Sequence, residues 1–146
     1  MSVRGAPLWI CPRCGRSFAK PRQSHTRAPL AQLDDHFVGT APEVRATFDA
    51  ILAAVRPLGP VTVLPEKSRI ALQVRMSFAA MMPRRHWLNG HLVMARSVGS
   101  DRFLDVQALS PRNVVHTFRL HAPEEVDAEL TGWLAEAYWV GEQRHL

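Results

Sequence analysis

The spacing of apolar residues changes twice along the chain, from a helical period of about 3.6 residues to a period of two and back again. The first helical stretch follows Thr40, with a proline and a glutamate in the order typical of a capping box. Its apolar stripe comprises Val44, Phe48, Ile51, Leu52 and Val55. The second begins near Pro123 and ends at Gly141. Its stripe comprises Val126, Leu130, Trp133, Leu134, Ala137 and Tyr138. These patterns predict two amphipathic helices, one on each side of a central region.

The central region reads as strands. In "RIALQVRM", residues 69–76, apolar and polar side chains alternate, which indicates a half-buried strand. Further candidates are 77–82, 87–95, 102–109 and 113–120, and the connections between them are too short for helical crossovers. The sequence therefore predicts an α+β fold: an antiparallel four- to five-stranded sheet with the N-terminal and C-terminal helices on one face, preceded by an irregular knuckle segment.

Positive charge is concentrated at the N-terminus. The 146-residue chain has a net charge of +5, yet residues 1–33 contain six basic and no acidic side chains, so the remainder carries −1. Four prolines and little apolar periodicity mark the same stretch as loop or knuckle. We therefore divide the chain into a basic, zinc-knuckle-like segment, residues 1–35, and an α+β sandwich domain, residues 36–146. A polyanion should meet the segment first. The residues expected to contact nucleic acid are Arg13, Arg16, Lys20, Arg22 and Arg27.

The stretch "WICPRCGRSFAKPRQSHTR", residues 9–27, contains candidate zinc ligands. Cys11 and Cys14 can take adjacent tetrahedral positions from one tight turn, and His25 follows after a short loop. Arg27 cannot be a fourth ligand because a guanidinium stays protonated. His36 is the first candidate for that position, ahead of Asp34 and Asp35, although it could equally be a polar residue packed beside the first helix. A redox role for the two cysteines is disfavoured because no alternating α/β pattern surrounds them.

Strand parity predicts a second site. The face directed at the helices should comprise Ile70, Leu72, Val74, Leu88, Leu92, Met94, Leu104, Val106, Val114, Phe118 and Leu120, with His116 as a core histidine. The opposite face is polar and mostly basic. Its candidate anion- or ligand-binding residues are Arg69, Arg75, His91 and Arg119. The alternative is a solvated face without a ligand.

The sequence also resembles an uncharacterised bacterial family known only as a domain of unknown function, number 5655. The resemblance rests on "WICPRCGRSF…QSH", "LDDHFVGTAPEVRATFDAILAAVRPLGPV", "SRIALQVRMSFAAMMPRR" and "GHLVMA…FRLHAPEEVDAELTGWLAEAY". The knuckle pattern of such proteins is matched at Trp9, Cys11, Pro12, Cys14, Gly15, Arg16, Gln23 and His25. Arg27 stands where that pattern has a cysteine. The resemblance implies the architecture and brings no activity with it.

These observations favour a non-enzymatic binding protein that contacts nucleic acid phosphates through its basic segment, with zinc as the expected cofactor. The alternative is a small-molecule or protein-interaction module that uses the polar sheet face, with a structural or degenerate knuckle. An enzyme has the weakest support because no nucleophile and base can be paired. No apolar run is long enough to cross a bilayer and no leader pattern is visible, so we expect a cytoplasmic protein without a membrane partner.

Overall fold

The structure, a computed structural model, describes residues 7–12, 16–19 and 31–144. Two helices and a large antiparallel sheet dominate it, which confirms the α+β class. The helices are α1 (Pro42–Val55) and α2 (Ala128–Gly141), and short 3-10 turns lie at Leu33–Phe37, Arg56–Leu58 and Pro123–Glu125. None of the helices in these ranges combines the length and apolar content needed to span a membrane.

The large sheet has six strands rather than the four or five expected. They are β3 (Thr62–Pro65), β4 (Ile70–Gln73), β5 (Ser77–Pro83), β6 (Leu88–Met94), β7 (Phe103–Ser110) and β8 (Asn113–Leu120), in the order β3-β4-β5-β6-β8-β7. The unpredicted strand is β3. It is only four residues long and ends in a proline, so it lacks a clear alternating pattern, and it is held by antiparallel pairing with β4. A separate two-stranded sheet, β1 (Trp9–Ile10) with β2 (Ser17–Phe18), lies in the segment expected to be irregular.

Both helices contribute to one hydrophobic core against the large sheet. Phe48 and Ile51 of α1 and Leu134 of α2 are buried in the same cluster as Leu72 and Leu92 of the sheet. We call the sheet surface on the other side the far face. The apolar stripes read from the sequence are thus the surfaces that hold the two layers together.

The helices begin differently from the prediction. Thr40 does not cap α1, because its hydroxyl donates to the carbonyl of Phe37 (2.9 Å) and Ala41 occupies the N-cap position. The acids after Pro123 form a separate 3-10 turn. Asp127 is the cap of α2, and its carboxylate accepts the amide hydrogen of Leu130 (3.0 Å).

Register shifts interrupt the expected alternation once in β4 and twice in β7. The predicted strand over 69–76 ends at Gln73, next to a register shift after Leu72, and both faces of β4 are buried. In β7 a register shift lies between Phe103 and Asp105 and reverses which residues face the core. Phe103 packs into the core and is 9% exposed, whereas Leu104 is 61% exposed. Leu104 therefore does not face the helices as predicted, because the bulge adds one residue to the strand.

Candidate functional site

Cys11 directly follows the first strand of a small hairpin. Trp9 pairs with Phe18 and Ile10 with Ser17, and the amide of Cys11 then donates to the carbonyl of Arg16 (2.8 Å). This bond closes a six-residue loop that begins at Cys11, whose side chain is 1% exposed. Residues 13–15, and therefore Cys14, lie outside the described residues.

The hairpin is fastened to the main sheet at one end. The side-chain amide of Gln73, a buried residue at the end of β4, donates to the carbonyl of Ser17. The following described segment is also tied to the sheet, since the amide of Ala31 donates to the carbonyl of Pro65 (2.7 Å). The hairpin therefore lies against the end of β4 rather than standing apart from the domain.

The candidate metal ligands are only partly described. His25 lies outside the described residues, as Cys14 does, and within the described ranges no three His, Cys, Asp or Glu side chains form a group that could hold a metal. His36 lies in the 3-10 turn Leu33–Phe37, and its Nε2 is 2.6 Å from the carbonyl oxygen of Glu66. That contact makes Nε2 the protonated nitrogen and leaves Nδ1 with the lone pair that a metal needs. Asp34, ranked behind it, is paired with Arg45 (2.9 Å).

Of the five residues predicted to contact nucleic acid, only Arg16 is described. It is 7% exposed, so little of its guanidinium can reach a large ligand. The other four lie outside the described residues: Arg13, Lys20, Arg22 and Arg27.

The four predicted anion-binding residues occupy three different environments. Arg69 pairs with Glu66 (2.9 Å). His91 lies half-buried on the far face, where burial lowers the pKa of its imidazole and the positive charge of Arg69 lowers it further. At neutral pH His91 is therefore an uncharged group beside a paired arginine.

Arg75 is held by the end of α2. Its amide donates to the carbonyl of Gly141 (3.1 Å), and its Nε donates to the side-chain oxygen of Gln143 (3.0 Å), whose backbone is left-handed at a φ of 63°. The residue is 7% exposed, and its Nη1 has no hydrogen-bond acceptor in the described part of the chain. No contact among these residues joins Arg75 to Arg69, His91 or Arg119, so the structure does not assemble the four into one site.

Arg119 belongs to a cluster that we call the Trp87 surface, formed by Arg84, Arg85, Trp87, Asn89, Arg119 and His121. The guanidinium of Arg119 lies over the indole of Trp87, 4.6 Å from the ring centre, and its Nε donates to Asn89 (3.3 Å). The ring of His121 is 6.2 Å from that of Trp87. The turn between β5 and β6, closed by the bond from the amide of Arg84 to the carbonyl of Trp87 (2.8 Å), adds the two exposed arginines. The alternation of side chains along β8 identified Arg119 as a far-face residue. Its contact with Trp87 depends on the pairing of β6 with β8, which the sequence does not specify.

A pocket of about 330 Å³ opens beside the N-terminus of α2. Phe103, Phe118 and Trp133 line it, together with Arg102. Arg102 is already occupied: its guanidinium contacts Asp127 (2.8 Å), Glu129 (3.2 Å) and the carbonyl of Glu125 (2.6 Å). We therefore read the pocket as the edge of the core around a structural ion-pair network.

Comparisons with known proteins agree with the fold and add no activity. The model of a family described as "Domain of unknown function (DUF5655)" matches residues 33–140. That range contains α1, all six strands of the large sheet and α2 except its last residue, and it leaves out the hairpin. Neither a curated protein nor a solved structure matches the chain.

Proposed function

Because the chain belongs to the DUF5655 family, whose description assigns no function, we propose one from its own residues. The protein binds nucleic acid through phosphate contacts made by its basic N-terminal segment, residues 1–33. The α+β domain positions that segment. Sequence-specific reading of bases is not part of the proposal, because phosphate contacts carry no direct sequence information.

The uneven distribution of charge is the observation that carries the proposal. Residues 1–33 hold six basic and no acidic side chains, whereas the rest of the chain is close to neutral. Lysine and arginine near a polyanion gain affinity by releasing condensed counterions, and an internal carboxylate would weaken that gain. Attachment of the hairpin through Gln73 and Ser17 supports the proposal, because it ties the described part of the basic segment to the domain.

Zinc is the proposed cofactor, and it would act as a structural clip. The ligands are Cys11, Cys14, His25 and, in the position that Arg27 cannot fill, His36. The buried thiol of Cys11 and the orientation of the His36 ring by the carbonyl of Glu66 fit such a site. A reduced cysteine pair of this kind belongs in the cytoplasm, where we place the protein.

Salt-dependent binding tests the nucleic-acid proposal. We would measure the affinity of the full chain for a labelled oligonucleotide over a range of salt concentrations. Lys20→Gln/Arg22→Gln is compared with Arg56→Gln/Lys67→Gln, which removes one lysine and one arginine from exposed positions of the domain. We expect the first variant to make the plot of log K against log salt shallower by about 1 to 2. Equal behaviour of the two variants, or affinity that does not change with salt, would contradict the proposal.

Metal content tests the zinc proposal. About one zinc per chain is expected by elemental analysis of the reduced protein, since a structural site of this kind holds a single ion, and Cys11→Ser should abolish it. His36→Gln tests the fourth ligand: zinc content should fall with it, whereas unchanged content would assign the position to another residue. Absence of zinc from the wild-type protein would rule out the clip.

The second candidate is a small-molecule or protein-interaction module on the far face. The observation in its favour is His91, a half-buried uncharged imidazole with no hydrogen bond among the described residues, close to the charge of Arg69. This module predicts ligand binding that Lys20→Gln/Arg22→Gln leaves intact and His91→Ala removes. No described pair of side chains provides a nucleophile with a base, so we propose binding rather than catalysis.

A further inference from the structure

We propose that the Trp87 surface binds single-stranded nucleic acid, with a base stacked on the Arg119 guanidinium and phosphates held by Arg84 and Arg85. The inference rests on the proposed function for its ligand class. It adds a second contact region, formed by the folded domain, and a preference for unpaired strands.

Three arginines of the Trp87 surface have no acidic partner among the described residues. Five other arginines each contact a carboxylate: Arg45, Arg69, Arg96, Arg102 and Arg144. Arg84, Arg85 and Arg119 contact none in the part of the chain that the structure describes. Three such cations on one surface create a local positive potential that an anionic ligand would neutralise.

Two acidic residues, Asp101 and Glu125, line the pocket that Arg119 and His121 also line, and among the described residues neither forms an ion pair with the three arginines. The Oε1 of Glu125 accepts the backbone amides of His121 and Ala122 (3.1 Å for the latter), and it lies 3.9 Å from the Nδ1 of His121. Its charge is thus directed at the turn Pro123–Glu125 and the histidine. The net charge of the surface remains positive.

The geometry of Arg119 favours a flat, unsaturated partner. Its side chain is exposed, its Nε donates to Asn89 (3.3 Å), and its guanidinium carbon lies over the indole of Trp87, 4.6 Å from the ring centre. The guanidinium is planar, so fixing one side against a ring leaves the other as a flat cationic surface. Bases stack on such planes as they do on aromatic rings.

The same features argue against a duplex as the preferred ligand. Bases within a duplex are stacked on each other and cannot meet the Arg119 plane, whereas a single strand can turn its bases outward. Arg84 and Arg85 are exposed in the turn next to Trp87, within the same surface, and they supply the charges for phosphates of the bound strand.

The experiment uses fluorescence anisotropy with the full chain, a labelled single strand of about 20 nucleotides and a duplex of the same sequence, a length that exceeds one typical binding site. Arg119→Lys keeps the charge and removes the planar group, Arg119→Gln removes both, and Arg56→Gln is the control at an exposed arginine outside the surface. Melting temperatures confirm that each variant folds.

We expect Arg119→Gln to weaken single-strand binding roughly 5- to 100-fold, the range for loss of one stacked base. Arg119→Lys should weaken single-strand binding nearly as much, because lysine keeps the charge but has no planar group for the base to stack on. Duplex binding should stay nearly constant in both variants. Arg56→Gln should match the wild type. Equal effects of Arg119→Gln and Arg56→Gln would overturn the inference, as would equal losses for single strand and duplex. Binding of anionic vesicles or a phosphopeptide in place of the single strand would also overturn it.

The two proposals fail separately in this design. If Lys20→Gln/Arg22→Gln has no effect but the Arg119 variants lose single-strand binding, the Trp87 surface stands and the N-terminal proposal falls. If the N-terminal variant weakens binding of both the single strand and the duplex, and the Arg119 variants match Arg56→Gln, the N-terminal proposal stands and the Trp87 surface proposal falls.

Discussion

His116 is the clearest case of a single residue whose role follows from its environment. It is fully buried, its Nδ1–H donates to the carbonyl of Val114 (3.0 Å), and its Nε2 accepts the amide hydrogen of Val98 (3.0 Å). Burial lowers the pKa of the imidazole; the carbonyl of Val114 acts against this, and the charge of Arg96 lowers the pKa further. The prediction of a satisfied core histidine is thus confirmed.

This environment makes stability depend on pH. The unfolded chain binds a proton at the ordinary His pKa of 6.5, whereas the folded chain resists protonation until a lower pH. Stability should therefore fall as pH drops below about 6.5, by at most about 1.4 kcal/mol per pH unit for one group. Urea unfolding between pH 7 and 5 measures this slope.

The matched variants for that experiment are His116→Phe and His86→Gln. His116→Phe should be less stable at pH 7, because the amide of Val98 loses its acceptor, yet show a shallower slope. Some slope should persist, because the pKa of His91 is also lowered by burial. His86 is exposed, and its replacement should leave the slope unchanged. An unaltered slope in His116→Phe would refute the assignment.

Two glycines give opposite expectations for the same substitution. A Cβ at Gly90 in β6 would lie 2.6 Å from Cζ of Phe118 and 3.0 Å from Sδ of Met81, inside the core. Gly132, exposed within α2, has open space around it. We expect Gly90→Ala to lower the free energy of unfolding by about 1–3 kcal/mol and Gly132→Ala to raise it by about 0.5–1 kcal/mol, both read by denaturant unfolding. Stabilisation by Gly90→Ala would show that the β6–β8 packing is wrong.

At the scale of elements, α2 depends on the residue that caps its N-terminus. Asp127 accepts the amide hydrogen of Leu130, which is the main cause of its lowered pKa, and Arg102 adds to the effect. Asp127→Ala should lower the melting temperature by about 2–4 °C, as loss of a helix cap does in a chain of this size. Asp127→Asn keeps the cap and loses the ion pair, so its loss should be smaller. Equal losses of melting temperature in Asp127→Ala and Asp127→Asn would show that the ion pair with Arg102, rather than the cap, stabilises the helix. Because the pKa is lowered on folding, the stabilisation should disappear as pH falls below about 4.

Elements with a long, regular pattern were predictable, and those set by pairing were not. The apolar stripes of α1 and α2 and the alternation in β6 and β8 follow from side-chain periodicity. Strand β3 and the bulge at Phe103 are set by backbone pairing with the next strand along the chain, which leaves no alternating side-chain pattern in the sequence. The same limit applies to sites. Strand alternation predicted that His91 and Arg119 lie on the far face. Arg75 follows a register shift in β4, and its side chain contacts Gln143 at the end of α2 instead.

At the scale of the whole molecule, the family match and the charge distribution divide the chain at nearly the same point. The match covers residues 33–140, which have the helices and the large sheet, while the positive charge lies in residues 1–33. The hairpin adds few contacts to a core that is complete without it. We therefore expect it to open locally with a smaller free energy than the domain requires to unfold.

Hydrogen exchange tests this hierarchy. Gln73→Leu removes the bond to Ser17, so the amide of Cys11, which closes the hairpin, should exchange about 2- to 10-fold faster, in line with the loss of one hydrogen bond. Amides between β6 and β8 should keep the wild-type rate, since those strands pair along seven residues in the centre of the sheet. Gln107→Leu, the same change at an exposed position of β7, is the control and should alter neither. Faster exchange in β6 and β8 of Gln73→Leu would show instead that the hairpin is part of the domain's cooperative unit. In that case the N-terminal charges would be carried on a rigid surface, and removal of the hairpin contact should weaken nucleic-acid binding as well as protection.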